Sequence, residues 1–94
     1  HALDSDLPWL GYPYPNPAKE ELTIPFRVPE RHDQMPVKIS ILNGTGIEVA
    51  TPVNRTLGKG NYDVKWYPQG ESGLYLIRMK IGQQETKAMK VIIK

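Results

Sequence analysis

Few residues in this chain have the type and spacing to do covalent chemistry, and none of them forms a set. Gly70-Glu71-Ser72-Gly73 has the outline of a serine-nucleophile turn. It lacks the glycine spacing of G-x-S-x-G, and no helix pattern follows it, so it reads as a β-turn. Glu20 and Glu21 are adjacent carboxylates, but neighbours on a strand point to opposite faces. Asp4-Ser5-Asp6 lacks the rest of a calcium loop. His32-Asp33 has no further ligand nearby in sequence, and His1 is the only other histidine. Gly44, Gly46, Gly58 and Gly60 do not precede helix patterns, so they form no phosphate cradle. With no cysteine, the chain has neither a thiolate nucleophile nor a disulfide. Neither a catalytic site nor a cofactor or metal site is expected. The sequons Asn43-Gly44-Thr45 and Asn54-Arg55-Thr56 are better read as chance, since a turn already explains Asn43.

Binding remains, and charge is the first guide to it. Residues 1–36 carry six acids against three bases, whereas residues 37–94 carry nine bases against four acids. The basic surplus gathers at the end, on Arg78, Lys80, Lys87, Lys90 and Lys94. These bases alternate with apolar residues instead of clustering, and no nucleic-acid-reading motif accompanies them. The longest apolar runs are three or four residues (Leu74 to Ile77, Val91 to Ile93), far short of the roughly 20 that a membrane-spanning helix needs.

The elements that must position these residues are strands. At 94 residues the chain is one small domain. Its 8 glycines and 9 prolines are about double the share of a helical protein. Four prolines (Pro8, Pro13, Pro15, Pro17) make residues 1–17 an extended lead-in, of which His1 to Tyr14 is expected to pack poorly, although Trp9, Leu10, Tyr12 and Tyr14 are able to dock on the domain or on a neighbour. Residues 18–94 read as the folded unit. Leu22, Ile24, Phe26 and Val28 alternate, with Pro25 pointing to a sheet edge. Val37, Ile39 and Ile41 form the next buried face, and Asn43-Gly44-Thr45-Gly46 marks a hairpin whose residues tolerate positive φ. Ile47 and Val49 begin the return strand with their side chains inward, and Pro52 to Gly60 is a connection with a short strand near Arg55 to Leu57. Tyr62, Val64 and Trp66 follow, then Tyr75, Ile77, Met79 and Ile81, and finally Met89, Val91 and Ile93. No stretch holds a 3.6-residue period. Six or seven short strands of this spacing indicate an all-β, antiparallel β-sandwich.

The order of these motifs resembles a known family. Tyr14-Pro15-Asn16-Pro17 opens the pattern, Val37 to Gly46 carries the strand and Asn-Gly hairpin, and Gly60 precedes a strand ending in Trp66. Gly73-Leu74-Tyr75-Leu76-Ile77-Arg78-Met79 follows, and Lys87-Ala88-Met89-Lys90-Val91-Ile92-Ile93-Lys94 closes it. Together they resemble the type A C-terminal sorting domain of type IX (Por) secretion cargo, over residues 14–94. The resemblance implies an Ig-like sandwich without catalytic activity. Its partners would be an outer-membrane translocon that reads it and a sortase-type cysteine protease that removes it, cutting within about His1 to Tyr14. The upstream cargo would be secreted or held at the surface of a Gram-negative bacterium, by way of the periplasm. Recognition would fall on Gly73, Tyr75, Lys87, Lys90, Val91, Ile92, Ile93 and Lys94. Ala88 stands where a second lysine is frequent, which weakens the basic end. A terminal strand of alternating Lys and Ile or Val also suits a sheet edge: its open backbone can take an added strand while the lysines discourage self-pairing.

Two other readings stay open. The Asn-Gly hairpin and Gly-x-Tyr strand are similar to the Ig-like module of the flagellar hook-capping protein, a spacer or assembly domain. A secreted carbohydrate-binding sandwich would use Trp9, Tyr12, Tyr14 or Tyr67 as a stacking platform. A stop codon after Lys94 favours sorting, continuing sequence favours the spacer, and a planar row of aromatics favours sugar binding.

Overall fold

The computed structural model describes residues 9–30, 34–69, 72–86 and 88–94, and these contain strands and no α-helix. The strands are β1 (Trp9–Leu10), β2 (Leu22–Val28), β3 (Met35–Leu42), β4 (Glu48–Leu57), β5 (Gly60–Trp66), β6 (Gly73–Ile81), β7 (Gln84–Glu85) and β8 (Met89–Ile93). Six are long and two are two-residue additions. One sheet has the order β1-β2-β5. In the other, β4 pairs β3, β3 pairs β6, and β7 and β8 lie end to end along the far side of β6. Every strand pair is antiparallel. The molecule is an antiparallel β-sandwich.

Period-2 alternation places the core where the two sheets meet. Leu22, Ile24, Phe26 and Val28 of β2 are buried against Val37, Ile39 and Ile41 of β3 and Tyr75, Ile77, Met79 and Ile81 of β6. Val91 and Ile93 of β8 join them. Tyr62, Val64 and Trp66 of β5 are only partly buried, because β5 is the margin of its sheet. Two ring contacts fasten that margin. Phe26 stacks on Tyr62, its partner in register, with centroids 5.2 Å apart. Trp66 meets the edge of Tyr75 across the sheets at 5.7 Å.

The β3–β4 hairpin departs from the alternation in three ways. First, Asn43 acts through its side chain rather than through positive φ. Its Oδ1 accepts from the backbone N–H of Thr45 and of Ile47, each at 3.0 Å, and from the Thr45 hydroxyl at 2.7 Å. Gly46 supplies the left-handed residue, at φ 87°. Second, β4 runs unbroken from Glu48 to Leu57, replacing the expected connection and short strand. Pro52 is tolerated because β4 is an edge strand and its ladder is already irregular there. Third, Ile47 and Val49 are exposed, at 62% and 47%. The register steps from Ile41↔Ala50 to Ile39↔Val53, and from Leu42↔Glu48 to Ile41↔Ala50, so β4 carries extra residues. Each extra residue flips the phase of a period-2 pattern. Between the two steps Ala50, not Val49, packs on the core, Val53 and Leu57 are buried beyond them, and Ile47 precedes β4.

The lead-in also differs from its expected loose packing. From Trp9 onward it is part of the sandwich. Trp9 and Leu10 pair with Arg27 and Phe26, and Leu10 is buried. The Gly11 N–H donates to the Pro25 carbonyl at 2.9 Å. β2 is thus the middle strand of its sheet rather than the expected edge, and Pro25 turns its missing donor toward the short β1 side, leaving the β5 ladder intact. Tyr14 and Thr23 exchange two backbone hydrogen bonds of 2.9 and 2.8 Å.

Candidate functional site

The residues expected to carry recognition gather on β8 and the start of β6, and the sandwich divides them into two groups. Gly73, Tyr75, Val91 and Ile93 face inward or sit in the ladder. Gly73 pairs with Ile93 and Tyr75 with Val91. Tyr75, Val91 and Ile93 are buried. Gly73 has φ 142°, where a side chain would be strained, so it begins β6 for a backbone reason. Lys90, Ile92 and Lys94 are exposed. On β8 this alternation turns Lys90 and Ile92 to the outer face, opposite Leu76 and Leu74. Lys87 lies outside the described residues, as do Asp4, Asp6, His32, Asp33, Gly70 and Glu71.

The outer edge of β8 is partly occupied, which the sequence does not announce. The Ala18 N–H donates to the Ile92 carbonyl at 2.8 Å, and the Lys94 N–H donates to the Ala18 carbonyl at 2.7 Å. The Ile92 N–H donates to Asn16 Oδ1 at 3.0 Å. Ala18 is buried and forms a parallel bridge with Ile93. Residues 14–18 thus cross from the β1-β2-β5 sheet, at Tyr14, to the other sheet, at Ala18, and close that side of the sandwich like a strap. In an antiparallel ladder the backbone groups of alternate residues point to the same side. Since those of Ile92 and Lys94 point outward, those of Lys90 do too. The polar backbone of Lys90 has no partner among the described residues.

The outer face beside this edge is apolar at one end and basic at the other. Leu42 and Leu76 are opposite one another, as are Leu74 and Ile92. Lys38, Arg78, Lys80 and Lys90 continue the same face. Lys38 pairs with Glu48 at 3.6 Å, and Lys80 faces Glu85 in register. Hydrogen bonds from Thr51, chiefly, and Ser40, with the nearby Lys38 ammonium, hold the Glu48 carboxyl below its ordinary range. Lys90 and Lys94 form no ion pair among the described residues.

A cleft of about 830 Å³ opens at the hairpin end of the sandwich, lined by Asn43, Val49, Trp66, Tyr67, Gly73 and Tyr75 among others. The aromatic residues that could stack on a sugar are dispersed along the chain: Trp9 is on β1, Tyr12 follows it, Tyr14 begins the strap, and Tyr67 follows β5. No group of three or more His, Cys, Asp or Glu among the described residues could hold a metal ion. No helix among them is long and apolar enough to cross a membrane.

A family model described as the secretion system C-terminal sorting domain matches residues 13–94. The chain belongs to that family. The match begins just before the strap and includes it with β2 to β8, so the strap's contacts with β8 fall inside the sorting domain. The family comprises type IX secretion signals rather than catalysts. A sorting domain of this kind implies a secreted or cell-surface protein that interacts with the type IX machinery. No curated protein and no solved structure matches the chain.

Proposed function

We propose that this sorting domain directs an upstream cargo across the outer membrane, and that the translocon reads β8 and its outer face. The domain itself catalyses nothing. The observation that carries the reading is the split on β8: Val91 and Ile93 hold the strand in the core, which leaves Lys90, Ile92 and Lys94 displayed on a sheet margin. Gly73 and Tyr75 serve recognition indirectly, by fixing the strand that β8 pairs with. The cargo reaches the translocon by way of the periplasm.

The sortase-type protease cuts before Trp9 rather than throughout residues 1–14. Proteases need an extended, unpaired backbone, whereas Trp9 to Tyr14 is tied to β2 by strand pairing and hydrogen bonds.

The test is a reporter fused ahead of the full chain in a bacterium with type IX secretion. Lys90→Glu with Lys94→Glu alters two exposed charges and should cost less than about 0.5 kcal/mol, so the fold survives. Export of the double variant falls while its melting temperature barely moves. Unchanged export would show that the two lysines are merely solvated surface.

A further inference from the structure

We infer that the outer edge of β8 is a docking site for an extended, acidic partner strand, and that the strap is the latch this strand displaces. The inference rests on the reading of β8 as the recognised element and deepens it.

The edge demonstrably accepts an extended segment, because it holds one in cis. Asn16 to Ala18 uses the Ile92 N–H, the Ile92 carbonyl and the Lys94 N–H. Two features make that segment a poor permanent occupant. One of its three hydrogen bonds comes from an exposed side chain, Asn16, in place of a backbone carbonyl. It also stops short of Lys90, whose outward N–H and carbonyl it leaves unused. A partner strand would gain the Lys90 pair as well and would replace the Asn16 contact with a ladder bond.

The side chains around the edge define the partner. Residues of an added strand alternate between the two faces. Those on the outer face come beside Lys90, Ile92 and Lys94 in turn, so complementarity calls for acid, apolar, acid at every second position. Those on the inner face occupy the place of Ala18, which is buried next to Ile93. They must be small and apolar. The lysines that repel a second copy of this edge attract such a strand.

The probe is a synthetic peptide with glutamate, valine and glutamate at alternate positions and alanine between them. It is titrated against the full chain and monitored by NMR. A scrambled peptide of the same composition is the control. Binding is expected to shift the Lys90 amide and to abolish the exchange protection of the Ala18 amide, since the strap must leave. Asn16→Ala removes one latch bond on an exposed side chain and should tighten peptide binding about five-fold. Lys90→Glu with Lys94→Glu should weaken it at least ten-fold. No peptide binding, equal binding of the scrambled peptide, or an Ala18 amide that stays protected in the complex would each overturn the inference. Reporter export is scored separately. If the lysine variant loses export while the peptide fails to bind, recognition by β8 stands and docking by strand addition falls.

Discussion

The two long sides of the sandwich end in edge strands that are guarded in different ways. On one side lie β4 and β5, each the margin of its own sheet. The guard on β4 is built into the strand itself: Pro52 and the bulges beside it disrupt its outer edge. On the other side lies β8, a regular strand whose pairing with β6 shows no register shift. Its guards are the exposed lysines and a strap held by three hydrogen bonds. A guard built into the strand blunts it permanently, whereas a guard made of contacts can be given up. The recognition proposed above falls on the side whose guard can be released.

The difference extends inward, and the largest expected effect tests it there. Ile93 on the strap side is 3% exposed, while Val64 on the open side is only partly buried. Ile93→Ala should cost about 2–5 kcal/mol, as a large-to-small change in a closed core. Val64→Ala should cost clearly less, because water already reaches that margin. Chemical denaturation of the two variants measures both, and equal losses would mean that the open side is as well sealed as the strapped one.

An intermediate effect is expected from the ring pair that holds the open side together. Tyr62 stacks on Phe26 and donates its hydroxyl to the Gly58 carbonyl at 2.6 Å. Tyr62→Leu keeps apolar bulk but loses the stacking and that hydrogen bond, for about 1–3 kcal/mol. A thermal melt within experimental error of the parent would show that β5 needs no such fastening.

The smallest effect concerns the exposed carboxylate on β4. Glu48 is held below the ordinary glutamate value of 4.5 by the Thr51 and Ser40 hydroxyls and by Lys38. A lowered folded pKa means that the unfolded chain takes up the proton first as pH falls. The stabilisation is thus complete above the ordinary value and is lost as pH drops through the lowered one. Glu48→Gln should melt slightly below the parent at neutral pH, with the gap closing in acid. A gap that persists in acid would assign the effect to shape rather than charge.

Much of this architecture was legible from residue order. The strict alternations of Leu22 to Val28, Val37 to Ile41 and Tyr75 to Ile81 fix which side chains face the core, and all three faces are buried as read. The family resemblance was legible too, from motifs spread over residues 14–94. Alternation alone places Ile47 and Val49 inward, and neither the bulge at Val49 nor the start of β4 after Ile47 is visible in it. The extra residues near Val49 and between Ala50 and Val53 have no composition of their own beyond Pro52.

By itself the sequence determined what is local: the period of each strand, its two faces, the hairpin at Asn43 and the basic-apolar pattern of the last strand. Side-chain types record these because each face meets either water or core. Only the tertiary structure decided that β8 is a margin, that its edge is half occupied, and that Asn16 and Ala18 occupy it. Backbone N–H and carbonyl groups make those contacts at Ala18, and they are the same on any residue but proline. A position held through them across 74 residues of chain leaves almost no mark on the sequence.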